Sequence, residues 1–223
     1  MKVLAVSIFM AVDFLLIGTH ITLWMLGVRV PLFSIEIDRS YPEFYQYLKF
    51  FWLFYLSIVL AIRRGEAAFV FLAIIFLALL VVDSFGIHES FGSKIASTLT
   101  LEPILGLRLQ EYGEMFVMAS LGASSFLLWG IAYSLARADQ RYIIVFTGKM
   151  LLLLALFGVV VDMVHQMMTR VGRTAYFIAG SIEDGGEMLV LSVLAGFFVV
   201  YSLSSNRMAP LANFPKGSLG TPP

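Results

Sequence analysis

Six long apolar stretches are the feature that most constrains this chain. A helix needs roughly 20 mostly apolar residues to cross the hydrocarbon core of a bilayer. The sequence therefore predicts an all-α integral membrane protein with six transmembrane helices in one domain, residues 1–207, followed by a disordered cytoplasmic tail at 208–223. The six predicted spans cover about residues 4–26, 46–62, 67–87, 113–135, 143–165 and 186–204.

Composition excludes several classes of protein. The chain is 60% hydrophobic and 13% charged, whereas soluble domains are about 45–50% apolar and about 25% charged. Its 15 Lys and Arg residues balance 15 Asp and Glu residues, so no basic field attracts a nucleic acid. Because the chain has no cysteine, it holds no disulfide, Cys-zinc site or iron–sulfur cluster. The expected partners are the lipid bilayer, a small or lipidic substrate, and further copies or other subunits of a membrane complex.

Basic residues give a predicted orientation. Lys and Arg in short loops favour the cytoplasmic side. The loops at 27–45, 88–112 and 166–185 are then outside, and both termini are cytoplasmic. We expect a multi-pass protein of a bacterial inner membrane, with a first span that is not cleaved as a signal peptide because it is long and contains Asp13. The basic residues on the predicted inner side are Lys2, Arg63, Arg64, Arg137, Arg141, Arg207 and Lys216.

An internal repeat relates the last four spans. Residues 80–89 and 159–165 each place an Asp shortly before a His at the predicted outer end of a span. Residues 111–115 and 184–188 both read acid-x-Gly-Glu-Met and open the next span. The pattern predicts two copies of one hairpin, so that spans three to six form a four-helix core with a pseudo-two-fold axis along the membrane normal.

Acidic residues concentrate at one end of these spans. A charge at the centre of a span costs about 2.5–3.5 kcal/mol and usually faces the bundle or a water-filled cavity. The sequence predicts no Lys or Arg inside the spans at that depth, and Arg108, Arg170 and Arg173 in the outer loops are too few for eight acids. Protonation or bound cations must compensate them. The eight acids are Asp83, Glu89, Glu111, Glu114, Asp162, Glu183, Asp184 and Glu187.

Two histidines favour metal ions over protonation. Asp162 and His165 are three residues apart and share a helix face. Asp83 and His88 are five apart, so we expect Gly86 to break the helix between them. Four helices that supply carboxylates and histidines are typical of dinuclear sites. The predicted metal ligands are Asp83, His88, Glu114, Asp162, His165 and Glu187.

The expected cofactor is one or two divalent metal ions. Carboxylate and imidazole ligands favour iron or manganese, then zinc, while neighbouring methionines leave copper open. Glu111 and Asp184 are predicted to orient the ligands or to serve as a catalytic general base. In an alternative interpretation, Glu111, Glu183 and Asp184 are only N-terminal carboxylates stabilised by a helix dipole.

Two polar residues of the first span share one face. Asp13 is predicted either to bond a neighbouring Ser, Thr or Tyr or to have a functional role, and His20 to be a metal ligand or proton relay.

The leading functional prediction is a metal-dependent enzyme, an oxidoreductase or a hydrolase, acting on a small or lipidic substrate from the outer face. The alternatives are a transporter for divalent cations or coupled to protons, and an accessory subunit of a membrane complex.

Overall fold

The computed structural model describes residues 2–98 and 109–205, and these residues form helices and turns without any strand. Six of the helices in these two ranges are long and apolar enough to cross a membrane, which confirms the prediction of an all-helical protein with six spans. The predicted tail at 208–223 and Arg108 lie outside the described residues.

The α-helices of the described residues are numbered α1 to α8 in chain order. A π-helical segment, Leu156–Val161, joins α6 to α7, and a 3₁₀ turn, Pro31–Phe33, lies between α1 and α2. Their bounds are α1 Lys2–Met25, α2 Tyr41–Arg64, α3 Ala67–Ser84, α4 Ile87–Thr98, α5 Leu109–Leu135, α6 Arg141–Ala155, α7 Asp162–Met168 and α8 Arg173–Ser205.

Local sequence signals fix the ends of α2. The Ser40 hydroxyl accepts a hydrogen bond from the Glu43 N–H at 3.4 Å, and Pro42 occupies the first turn, where its missing N–H costs nothing. Gly65 ends the helix in the left-handed conformation, with φ of 63°. These signals explain why α2 begins five residues before the predicted second span.

Helix α8 is the centre of the bundle. It packs against α1, α2, α6, the π-helical segment and α7, while α3 packs against α2 and α5. The largest apolar core lies in the half of the bundle near the α2–α3 and α5–α6 turns, with fully buried side chains such as Phe69, Phe76 and Phe198. Arg137 and Glu66 pair between those two turns. We call the other end, where α3 ends and α5 begins, the acidic end.

Two predicted loops are partly helical in the structure. The predicted outer loop at 88–112 contains α4, and the predicted loop at 166–185 is mostly the first part of α8. Because α8 begins at Arg173, Glu183 and Asp184 lie about three turns inside a helix, so their interpretation as N-terminal carboxylates was wrong. The fifth span is also interrupted by the π-helical segment, which a regular periodicity does not predict.

Candidate metal centre

A cavity of about 460 Å³ opens at the acidic end of the bundle. It is walled by α2, α3, α4, α5, the π-helical segment, α7, α8 and the loop between α1 and α2. Eleven of the chain's fifteen carboxylate residues line it. They are Glu36, Asp38, Glu43, Asp83, Glu89, Glu111, Glu114, Asp162, Glu183, Asp184 and Glu187.

Few positive groups face these acids. Arg39 is the one arginine or lysine among the described residues that line the cavity, and His88 is the one histidine. Arg173 lines a separate pocket beside α1, and Arg170 is exposed. Among the described residues, the arginine that reaches the cavity is therefore Arg39, and the predicted contribution of Arg108 lies outside them. A charge deficit of this size in a confined space favours bound cations or protons.

A helix break brings Asp83 and His88 to the same cavity. Helix α3 ends at Ser84, and Gly86 has φ of 56°, a conformation that a side chain disfavours. Helix α4 then starts at Ile87 and directs His88 back to the cavity wall. This confirms the predicted break at Gly86. His88 Nδ1 is buried without a hydrogen-bond partner, which leaves a free ligand atom beside Asp83.

Glu187 reaches the cavity because the π-helical segment and α8 approach closely at a glycine. A Cβ at Gly158 would collide with the Glu187 carboxylate. Gly158 belongs to the π-helical segment, and such segments often occur at functional sites. The same segment is followed at once by Asp162, which lines the cavity and accepts a hydrogen bond from Gln166 at 3.2 Å.

Glu114 is placed by the contact between α4 and α5. These helices touch backbone to backbone at Gly92 and Gly113, so a side chain at either position would displace the other helix. Gln110 donates a hydrogen bond to Glu114 at 2.7 Å, and Glu111 lines the cavity one turn from it. The predicted pair Glu111 and Glu114 therefore faces one space.

His165 stands behind the cavity wall rather than in it. Its Nδ1 lies 2.6 Å from Glu183, and Glu183 lines the cavity. One ligand atom from each of Asp162, His165 and Glu183 lies within 4.8 Å of the other two, close enough to hold a metal ion. Of the six predicted ligands, the cavity thus receives five directly, and His165 is joined to it through Glu183.

Sequence reasoning missed the acids of the first loop. Glu36 and Asp38 line the cavity from the segment between α1 and α2, and Glu43 lines it from the first turn of α2. The Arg39 N–H and the Tyr47 hydroxyl both donate hydrogen bonds to Glu43, which gives that carboxylate a structural role at the start of α2. The sequence did carry a signal for this group, because three acids lie within eight residues.

Glu89 is affected by the same loop. Partial burial of its carboxyl group and the nearby Asp38 carboxylate raise the pKa of Glu89 above its usual value. Both burial and repulsion between the Glu89 and Asp38 carboxylates disfavour the charged form of Glu89, and this is the effect expected where carboxylates lie close together.

An apolar cleft of about 90 Å³ adjoins the cavity. Its walls come from α2, α3, α5, α6 and the π-helical segment, with Phe50, Leu79 and Phe126 among them. Asp83, His88 and Glu187 line both spaces. The acidic cavity and the apolar cleft thus share one polar boundary, at the position where the predicted ligands of α3, α4 and α8 meet.

The family model described as Domain of unknown function (DUF8692) matches residues 3–201. This chain belongs to that family. The match includes all residues that line the cavity and the cleft. No curated protein and no solved structure matches the chain.

A buried ion pair lies next to the cavity in this family member. Lys49 donates to Asp13 at 2.9 Å, to the Met188 carbonyl at 2.8 Å and to Ser192 at 3.3 Å, and both charged side chains are fully buried. The prediction that the spans hold no Lys or Arg at the depth of the acids was wrong, because buried Lys49 of the second span reaches the residue after Glu187. Asp13 thus pairs with Lys49, and the predicted Ser partner is Ser192, which bonds Asp13 and the same ammonium group. Met188 directly follows Glu187, so the pair adjoins the cavity wall.

Proposed function

We propose that this protein is a membrane-embedded, metal-dependent enzyme whose acidic cavity holds one or two divalent metal ions. The observation that carries the proposal is the gathering of eleven carboxylates around one cavity, with one arginine among the described residues that line it. If protonation alone neutralised these acids, their carboxyl groups would lose favourable interactions with water and gain no new partners in return. Divalent ions compensate two charges each and replace hydration by direct coordination.

The donor set fits transition metals. Carboxylate oxygens with the His88 imidazole are the ligands that iron, manganese and zinc accept. We propose Asp83, His88, Glu114, Asp162 and Glu187 as ligands that face the cavity, with His165 held beside them by Glu183. Met115 and Met163 also line the cavity, so copper stays within the proposal.

The equivalent positions of the two hairpins support the proposed repeat. Asp83 and Glu114 come from the first hairpin and Asp162 and Glu187 from the second, and all four face one cavity. We therefore keep a pseudo-two-fold relation of spans three to six as part of the proposal, with the metal ions near its axis.

The apolar cleft favours a lipidic substrate. A chain in this cleft would lie among Phe50, Leu79 and Phe126 and would bring its polar end to Asp83, His88 and Glu187. Bound metal ions would supply the polarisation of a substrate oxygen, or redox chemistry, in an oxidoreductase or a hydrolase. Glu111 and Asp184 are proposed to hold or transfer a proton at their carboxylate oxygens.

Metal analysis of the purified protein tests the proposal. Wild-type protein is expected to carry iron, manganese or zinc in stoichiometric amounts, measured by mass spectrometry of the elements. The double variant Asp162→Asn/Glu187→Gln is expected to lose that metal while keeping its helical circular dichroism. Asp139→Asn, an exposed acid at the opposite end, is the matched control and should keep the metal. Metal-free wild type that remains metal-free after incubation with Fe²⁺, Mn²⁺ or Zn²⁺ would overturn the proposal.

The buried ion pair favours a second candidate, cation transport. Asp13 and Lys49 extend the polar region from Glu187 toward the middle of the bundle, and ionisable residues at that depth often mark ion paths. Uptake of Mn²⁺ or protons into proteoliposomes separates the two functions. A transporter shows flux that Lys49→Met abolishes, whereas a metalloenzyme binds metal without flux.

A further inference from the structure

Three buried polar atoms without hydrogen-bond partners converge beside Gly180 of α8. His20 Nε2 lies 3.6 Å from Glu36 Oε1. Glu36 Oε1 and His165 Nε2 each lie 2.8 Å from the point where a Cβ on Gly180 would stand. The two histidines are 7% and 5% exposed. Buried polar atoms almost always have partners, so three such atoms around one niche indicate a missing positive group.

The proton position of His165 shows what the niche lacks. Glu183 lies 2.6 Å from Nδ1, which keeps the ring proton on that nitrogen. The lone pair of Nε2 then faces the Glu36 carboxylate, and two electron-pair donors face each other in a dry environment. A carboxylate on Nδ1 is also the usual arrangement behind a histidine that binds a metal through Nε2.

His20 is held in a ligand orientation by its surroundings. Its ring stacks on Phe177 at 4.9 Å, and Phe177 stacks on Trp24 at 4.2 Å. The Ile35 N–H donates a long hydrogen bond of 3.4 Å to Nδ1. A cation on Nε2 places the ring proton on Nδ1, and this long contact is the one interaction that the ring would give up.

We propose that His20, Glu36 and His165 bind a second, separate transition-metal ion in the niche at Gly180. Two imidazoles and one carboxylate select iron(II) or zinc over magnesium or calcium. Glu36 also lines the acidic cavity, whereas His20 and His165 do not, so the two imidazoles distinguish this ion from one bound in the cavity. The bound ion would link Glu36 of the loop between α1 and α2 to His20 of α1 and His165 of α7. This link would close one side of the cavity.

A steric block at Gly180 tests the site without changing any charge. The Gly180→Ala variant places a methyl group between the ligand atoms. Gly185→Ala is the matched control on the same helix, because its Cβ would meet only Ile17 at 3.4 Å, an ordinary contact. Metal-depleted His88→Gln protein, which lacks the imidazole of the acidic cavity, is titrated with Co²⁺ in every variant background. The visible absorption of Co²⁺ reports binding, and its electron paramagnetic resonance reports imidazole ligands. Gly180→Ala should weaken the imidazole-bound Co²⁺ by more than about 10-fold, and Gly185→Ala should not.

Further variants separate this site from the acidic cavity. His20→Gln should weaken the same Co²⁺ signal and replaces Gly180→Ala if that variant does not fold. Asp83→Asn/Glu114→Gln, which alters only the cavity, should leave the signal intact. The proposal is overturned if the His88→Gln protein with an otherwise intact niche shows no imidazole-bound Co²⁺, which is the result expected when a proton occupies the niche. It is also overturned if the cavity variant abolishes the signal while Gly180→Ala and His20→Gln keep it.

Discussion

At the scale of single residues, the cavity depends on a missing side chain at Gly158. The Glu187 carboxylate occupies the space where the Cβ of any other residue would stand. Since the obstructed atom is the end of a flexible side chain, a methyl group there moves the carboxylate rather than the helix. Gly158 is thus a positioning residue for a proposed ligand.

A Gly158→Ala variant should bind metal weakly while folding normally. We expect the affinity for Mn²⁺ to fall by about 10-fold or more, as when the surroundings of a metal ligand are changed. Calorimetric titration of the metal-depleted protein measures this. Gly130→Ala is the control, because nothing lies within 4 Å of its Cβ. Equal Mn²⁺ affinities in the two variants would contradict the role of Gly158.

The pair of Asp13 and Lys49 should stabilise the fold only as a pair. Lys49→Met leaves Asp13 buried and unpaired, which is expected to cost about 3–5 kcal/mol of unfolding free energy. Asp13→Leu/Lys49→Met removes both charges and should restore most of that loss. Denaturant unfolding in detergent micelles, followed by circular dichroism, compares the three proteins. A double variant that is as unstable as Lys49→Met would show that the pair is not the stabilising unit.

This pair also shows what single-sequence reasoning overlooks at the residue scale. Asp13 is recognisable as a buried acid because it interrupts an apolar span. Lys49, in contrast, stands at the start of an aromatic run and resembles an interfacial residue. The sequence does contain two opposite charges in two different spans, but only the structure shows that they pair.

At the scale of elements, the π-helical segment Leu156–Val161 orients α7. A π-helical turn contains one more residue than an α-helical turn, so it rotates the next helical turns about the helix axis. Asp162 and His165 follow the segment directly, and their direction depends on this rotation. Apolar periodicity predicted the span but not the extra residue, because Val and Leu fit both helix types.

Removing one residue from this segment should misdirect α7. Deletion of Val160, whose side chain is 46% exposed, is expected to restore an α-helix and turn Asp162 by about 100°. The protein should keep its helical circular dichroism but lose stoichiometric metal. Val160→Ala keeps the length and is the control. A deletion variant with full metal content would show that the segment does not set the site.

Hydropathy also misplaced the beginning of α8, for a physical reason. Charged residues normally end an apolar span, and Glu183 and Asp184 were therefore placed at its start. The helix continues through them because the cavity gives their carboxylates a polar space within the bundle. Helix α4 escaped prediction because its 12 residues are too few to cross a bilayer and contain several polar side chains.

At the scale of the whole molecule, the apolar core and the acidic cavity occupy opposite halves of the bundle. The six spans and the gathering of the acids of α3, α5, α7 and α8 were predictable, because helix periodicity and hydropathy fix where each acid lies along its span. The contribution of Glu36 and Asp38 to the cavity was not predictable, because the sequence of a loop does not indicate which surface the loop covers. The His20 niche likewise needs α1, α7 and α8 together.

The basic turns predict a direction of the bundle in the membrane, and this prediction is directly measurable. Because the natural chain has no cysteine, single cysteines report accessibility without background. Ser97→Cys places a thiol on α4, at the acidic end, and Ala138→Cys places one in the α5–α6 turn. We expect the acidic end to face the periplasm, since Arg137 and Arg141 flank the opposite turn. A maleimide that does not cross the inner membrane should label Ser97→Cys in spheroplasts and Ala138→Cys only after lysis. The reverse pattern would place the cavity in the cytoplasm and direct the search for its substrate there.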